Sequence, residues 1–148
     1  MSRLFTLGEA TKLLPRVASK IHDAVREKRE YAEAETRFRA GVERITMMGG
    51  TFVNTEQSHG IRSRRDTSLG RLKETLEGIQ ELGVLVKDLD VGLIDFPTLY
   101  RGQEVYLCWK MGENGIEWWH GVEEGFRGRK PIDADFIANH SGGEKEDD

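Results

Sequence analysis

The 148-residue sequence has a single cysteine, Cys108. One thiol excludes an intramolecular disulfide and argues against a cysteine-built zinc site. No apolar run approaches the roughly 20 residues that span a bilayer. The N-terminus also lacks the basic-then-apolar pattern of a secretory signal. The expected setting is therefore the cytoplasm, without membrane contact. Aromatic residues are few at 8%, and 37% apolar against 32% charged residues suits well-solvated, elongated helices more than a compact apolar enzyme. The length fits one domain with a real core.

What is present is unevenly placed. The formal charge of -4 hides an asymmetry. Residues 37–71 hold seven arginines against three acids, whereas residues 84–124 hold three basic residues against eight acids. The helix-helix connection is basic and the strand region acidic.

Thr6-Leu7-Gly8-Glu9 forms a capping box, with Phe5 placed before the cap as a staple. Apolar positions then recur at seven-residue spacing. One seam runs Leu7, Leu14, Ile21 and Val42, interrupted by Lys28 and Glu35; the other runs Ala10, Val17, Ala24, Tyr31, Phe38 and Ile45. Such a stripe predicts a coiled-coil-like helix ending at Gly49-Gly50, a rod of roughly 60 Å that needs a partner along its length. Pro15 lies past the first turn and is expected to bend it. Asn54-Thr55-Glu56-Gln57 can cap a second helix, with Leu69, Leu72, Leu76, Ile79 and Leu82 as its apolar face. The stretch before Leu69 has little to bury and is expected to fray. Together these segments predict an antiparallel helical hairpin over residues 6–82.

Four strands follow over residues 84–122. Asp90-Val91-Gly92 suits a three-residue loop setting Lys87 opposite Asp95, and Arg101-Gly102 a two-residue turn setting Asp95 opposite Cys108. Asn114-Gly115 is the strongest hairpin signal and sets Lys110 opposite Trp119 and Trp109 opposite His120. Alternation then puts Val84, Val86, Ile94, Phe96, Val105, Leu107, Trp109, Trp118, His120 and Val122 on a core face. Lys87, Asp95, Pro97, Tyr106, Cys108, Lys110 and Trp119 fall on a mixed face that needs water, the C-terminal segment or a second subunit over it. The fold class is α+β: a long, coiled-coil-like helical hairpin packed on a four-stranded antiparallel meander. Residues 123–140 add a loop and a short helix, completing a single domain over 1–140. Residues 141–148 are small, polar and acidic, and are expected to be disordered.

His120 follows two tryptophans and by this register enters the core face. One reading makes it a general base or metal ligand beside Asp88; the preferred one makes it a buried imidazole with both nitrogens hydrogen-bonded. Asp88, Ile94, Trp109 and His120 fall in one cross-strand row, leaving acid and imidazole about 14 Å apart. Glu74, Glu77 or His22 from a helix would then have to complete a site. Asp88, Asp90 and Asp95 around one turn invite Mg²⁺ or Ca²⁺ but lack the spacing of a calcium loop. Their ordinary roles are a turn residue, a cross-strand partner for Lys87 and an acceptor for backbone donors. No cofactor is expected; a divalent metal held by His120 and Asp88 is the one candidate.

Arg62, Arg64 and Arg65, with His59 nearby and Arg37, Arg39 and Arg44 on the first helix, form a basic patch suited to phosphate or nucleic acid. Phe38 and Phe52 are the only aromatics there, which leaves little for base stacking. Solvated helix surface is the plainer account. Arg127-Gly128-Arg129 in a glycine-rich loop could close over an anion, or tie the loop to Glu123 and Glu124.

The strings Val86-Lys87-Asp88-Leu89-Asp90, Gly92-Leu93-Ile94-Asp95-Phe96-Pro97, Tyr106-Leu107-Cys108-Trp109, Gly112-Glu113, Trp119-His120 and Gly125-Phe126-Arg127-Gly128-Arg129 resemble a small prokaryotic family, domain of unknown function 2203. The resemblance covers essentially the whole chain. It is specific in the strands and loose in the helices. It implies a functional grouping around Lys87, Asp88, Asp95, Trp119, His120 and Arg129, and it carries no activity to any of them.

The first functional reading is a non-enzymatic, homodimeric binding or scaffolding module, with the helical hairpin as the surface for a protein partner. Its candidate binding residues are Arg62, Arg64, Arg65, Trp119, Arg127 and Arg129. The second is a small metal-assisted or acid-base hydrolase centred on His120, with Asp88, Asp95 and Lys87 as further catalytic candidates. Nucleic-acid binding through the 62–65 patch is third.

Overall fold

A computed structural model describes residues 2–47 and 55–145. The Gly49-Gly50 break and the Asn54 cap lie outside the described residues. In chain order the elements are β1 (Ser2–Leu4), α1 (Leu7–Met47), α2 (Thr55–Glu81), β2 (Leu85–Asp88), β3 (Leu93–Tyr100), β4 (Gln103–Lys110), β5 (Trp118–Gly121), a 3-10 turn (Phe126–Gly128), β6 (Lys130–Pro131), α3 (Ala134–Asn139), β7 (His140–Ser141) and β8 (Gly143–Lys145). The class is α+β, with more strands than the expected four. The chain divides into two compact units, Met1–His22 with Leu76–Asp148, and Asp23–Thr75.

In the unit Asp23–Thr75, α1 and α2 pack antiparallel. Thr75 Oγ1 donates to Glu27 Oε1 at 2.7 Å. Further along α1, Arg65 of α2 reaches Glu35 at 3.6 Å and lies over the Phe38 ring at 4.1 Å. Partner numbers fall on α2 as they rise on α1. The seven-residue seam is half-buried at Leu7 and buried from Ala10 to Ala24, but beyond it the buried positions are Glu27 and Ala34, while Tyr31 and Phe38 are half-buried and Val42 is exposed. Residues 59–68 of α2 are helical; Arg65 reaches across to α1, and Ser68 is buried.

The other unit begins with the expected capping box. Thr6 N donates to Glu9 Oε1 at 3.0 Å and Glu9 N to Thr6 Oγ1 at 3.1 Å, so two otherwise orphaned amides of α1 are satisfied. α1 runs on through Pro15. The main sheet has the order β2-β3-β4-β5-β6, and β7 joins the edge of β3 beyond β2. Between β2 and β7 on that edge sits Pro97, whose carbonyl accepts from Phe5 N–H. A strand residue's N–H and C=O point the same way, so the amide proton missing at Pro97 is absent from this edge and not from the β4 ladder. Ile94, Phe96 and Leu107 are fully buried on one face, with Phe5 edge-on to Phe96 at 5.3 Å.

The hairpin β3-β4 has the expected register, with Asp95 opposite Cys108. Arg101 and Gly102 both adopt positive φ, 51° and 81°, the turn that matches strand twist. β2 departs by two residues: Leu85, not Lys87, faces Asp95, and a bulge separates Val86 from Asp88. Gly92 takes φ +67 as expected, and a Cβ there would meet Met111 Cβ at 2.6 Å. The tail also differs. Gly143–Lys145 pairs with Ser2–Leu4, because β1 offers a strand edge that the sequence reading had missed. Phe136 of α3 is fully buried against Tyr100, Trp119 and His140, while Ile137 stays exposed.

Candidate functional site

β5 carries the main correction. It pairs Leu107 with Trp119, Tyr106 with His120 and Cys108 with Trp118, three residues away from the register expected of a two-residue Asn114-Gly115 turn. Glu113 is the cause. Its side chain accepts from Lys110 N at 2.7 Å, its amide donates to the Lys110 carbonyl at 3.0 Å, and its carbonyl accepts from Trp109 Nε1 at 3.1 Å. Arg129 then grips both carboxylate oxygens of Glu113 at 3.0 and 3.1 Å. The folded-back connection is longer than a tight hairpin. An odd shift reverses every side chain of the strand. Trp119 therefore joins the apolar face, against Tyr100 and Phe136, and His120 crosses to the face of Asp95 and Cys108.

On that face Asp95, Cys108 and His120 come together from three adjacent strands, with one ligand-type atom from each lying within 4.8 Å of the others. Their exposures are 0%, 0% and 4%, so none is bathed by water. His120 Nε2 stands 3.0 Å from both Asp95 oxygens, and Nδ1 stands 2.8 Å from the Gly121 carbonyl. A carbonyl only accepts, so Nδ1 carries a proton. The Nε2 contact then needs a proton of its own, on the ring or on the carboxyl. Either placement leaves the Asp95–His120 pair with zero net charge.

Burial pushes the Asp95 carboxyl up, against the charge and hydrogen bond of His120. Burial also pushes the Cys108 thiol up to about 12, reinforced by Asp95 and opposed by Arg129. The thiol is thus a protonated group beside the carboxylate, not a thiolate paired with the imidazole. Both imidazole nitrogens are already engaged. This arrangement is no nucleophile-base pair.

The C-terminal segment partly covers this face. Arg129 lies over Phe126 at 4.0 Å and Trp118 at 5.2 Å, and Lys110 over Phe126 at 5.4 Å. Lys87 lies 4.8 Å from the Tyr106 ring, which meets His120 edge-on at 5.5 Å. Asp88 does not join the cluster: it is exposed and accepts from Asp90 N at 3.0 Å. Asp88 thus stands apart from His120, and the ligand-type atoms that gather near His120 are those of Asp95 and Cys108. His22 and Glu77 are exposed and supply no partner to His120; Glu74, in the other unit, is also exposed. Arg127 is exposed; Arg129 pairs with Glu113, and Glu124 pairs instead with Lys130.

In the unit Asp23–Thr75 the arginines sort themselves. Arg65 is committed to Glu35, Asp66 and Phe38. Arg62 is exposed beside His59 and Asp66. Arg64 lines a groove of about 380 Å³ with Arg37, Arg71, Ser63, Thr67 and Ser68, and Glu30 and Glu33 stand at its wall. Arg64 and Arg71 lie two turns apart on one helix face.

Residues 3–132 match the family described as an uncharacterized conserved protein, domain of unknown function 2203, and the chain belongs to that family. No curated protein and no solved structure matches it. None of the described helices is long and apolar enough to cross a membrane.

Proposed function

We propose that the chain is a non-enzymatic binding module that assembles as a homodimer, the arginine groove of one copy taking carboxylates of the acidic strand region of its partner. One observation carries this reading. Arg37, Arg64 and Arg71 line one groove, and among the described residues none of them makes an ion pair. Three guanidiniums beside three hydroxyls favour carboxylate partners, and the exposed Asp88, Glu117 and Glu123 of the strand region supply them. Nucleic acid is the weaker fit: the Phe38 ring is already covered by Arg65, and no aromatic side chain lines the groove for a base to stack on. Turnover is disfavoured because the polar cluster under the sheet is closed and its thiol protonated. The unpaired cysteine suits a reducing compartment, which supports a cytoplasmic placement.

The test is molar mass by light scattering at low and high salt. The wild-type chain should have twice its 16.8 kDa at low salt and fall toward the monomer as salt rises. An Arg37→Ala/Arg64→Ala/Arg71→Ala variant should dimerise less tightly. Exposed pairs contribute about 0.2–1 kcal/mol each, so losing three costs about 0.6–3 kcal/mol, roughly threefold to 150-fold in Kd. A monomeric wild type, or a variant as dimeric as the wild type, contradicts the reading.

A further inference from the structure

We infer that Asp95, Cys108 and His120 form a binding site for one zinc-class divalent ion. It lies in the strand unit and does not depend on the arginine groove.

The donor set points to that class. A sulfur donor beside an imidazole and a carboxylate suits a borderline ion such as Zn²⁺ and disfavours Mg²⁺ and Ca²⁺, which prefer oxygen throughout. Both Asp95 oxygens lie near Nε2, at 3.0 Å, so the carboxylate can present either oxygen alongside Sγ and Nε2, three protein donors of a tetrahedral set. Tetrahedral bonds of about 2.0–2.3 Å place donors roughly 3.5 Å apart. The three side chains, already within 4.8 Å of one another, reach that spacing by small rotations.

The surroundings match as well. A metal-ligating histidine ordinarily donates its second ring N–H to a carbonyl or carboxylate, which fixes the tautomer. His120 Nδ1 does this to Gly121 O at 2.8 Å, leaving Nε2 aimed at the other two donors. Arg129, anchored on Glu113, opposes the rise of the Cys108 thiol and so favours the thiolate that the ion needs.

Charge balance completes the case. Without metal the cluster holds a neutral Asp95–His120 pair and a neutral thiol. When the ion binds, the proton between Asp95 and His120 leaves, and so does the Cys108 proton. Two positive charges enter and two protons depart, so the buried site stays neutral. Affinity must then rise with pH.

Cobalt(II) reports the ligands directly. The full chain, both as folded and after refolding from denaturant with cobalt present, should take up one equivalent, with release of two protons. It should show a near-ultraviolet sulfur-to-cobalt charge-transfer band. Cys108→Ser, nearly isosteric, should lose that band, and His120→Gln should lose uptake, with circular dichroism confirming that each variant is folded. Three results overturn the site: no uptake by the folded wild type under either loading, uptake without the sulfur band, or a band that survives in Cys108→Ser.

Discussion

Replacing Asp95 by alanine is expected to lower the unfolding free energy by about 3–5 kcal/mol, the range for breaking a buried ionic or strongly hydrogen-bonded pair. Asp95 holds two neighbours at once. His120 Nε2 lies 3.0 Å from its carboxylate, and the Cys108 thiol lies within 4.8 Å of the same group. Alanine strands both in a region that water does not reach. Marginal stability means such a loss brings a domain close to unfolding at ambient temperature. Asparagine should behave differently. Its amide N–H can donate to Nε2 of an imidazole whose proton already sits on Nδ1, and its oxygen can accept from the thiol. Asp95→Asn should therefore lose only about 1 kcal/mol. Urea unfolding of the two variants at neutral pH separates the cases. Equal losses, or a mild alanine variant, would show that the shared-proton arrangement is wrong.

The second large effect is alkaline. The Cys108 thiol is pushed up to about 12 in the folded chain, while an unfolded chain ionises its thiol near 8.5. Above roughly pH 8.5 the unfolded state holds fewer protons than the folded one, so stability falls as pH rises through this window. The slope is about 1.4 kcal/mol per pH unit. At pH 10 the wild type should have lost about 2 kcal/mol relative to Cys108→Ser, whose hydroxyl does not titrate there. The comparison is the stability difference between the two proteins at pH 7.5 and at pH 10. A difference that does not change with pH would refute the buried, protonated thiol. Asp95, also pushed up by burial, has the same sign at lower pH: its contribution is fully present below about pH 3.9 and is lost as pH rises beyond that.

Much of the fold is legible in the residues because its determinants are local. Thr6 and Glu9 cap α1 as their spacing predicts, and Arg101-Gly102 fixes β3 against β4, hence Asp95 against Cys108. Two of the three members of the polar cluster were thus visible in the sequence. The third was not, because His120 depends on Glu113, which is fixed by Lys110, Trp109 and the distant Arg129. An Asn-Gly rule sees only its own turn. A shift of three residues, invisible to it, carries the imidazole from one face of the sheet to the other. Local rules also missed β1 and β8, each too short to show alternation and stable only as a pair. In the helices, Arg64 and Arg71 share a face by spacing alone. Arg37 joins their groove through the antiparallel pairing of α1 and α2, as the basic patch read from the sequence already implied, though Arg71 was not in that patch.

The most direct test of the buried centre is a long-range ¹H–¹⁵N spectrum of His120 at neutral pH. The geometry predicts a protonated Nδ1 bound to the Gly121 carbonyl. It also predicts a second, slowly exchanging proton held between Nε2 and Asp95. An unprotonated Nδ1, or a ring whose protons exchange freely with water, would place His120 outside the cluster and contradict the account.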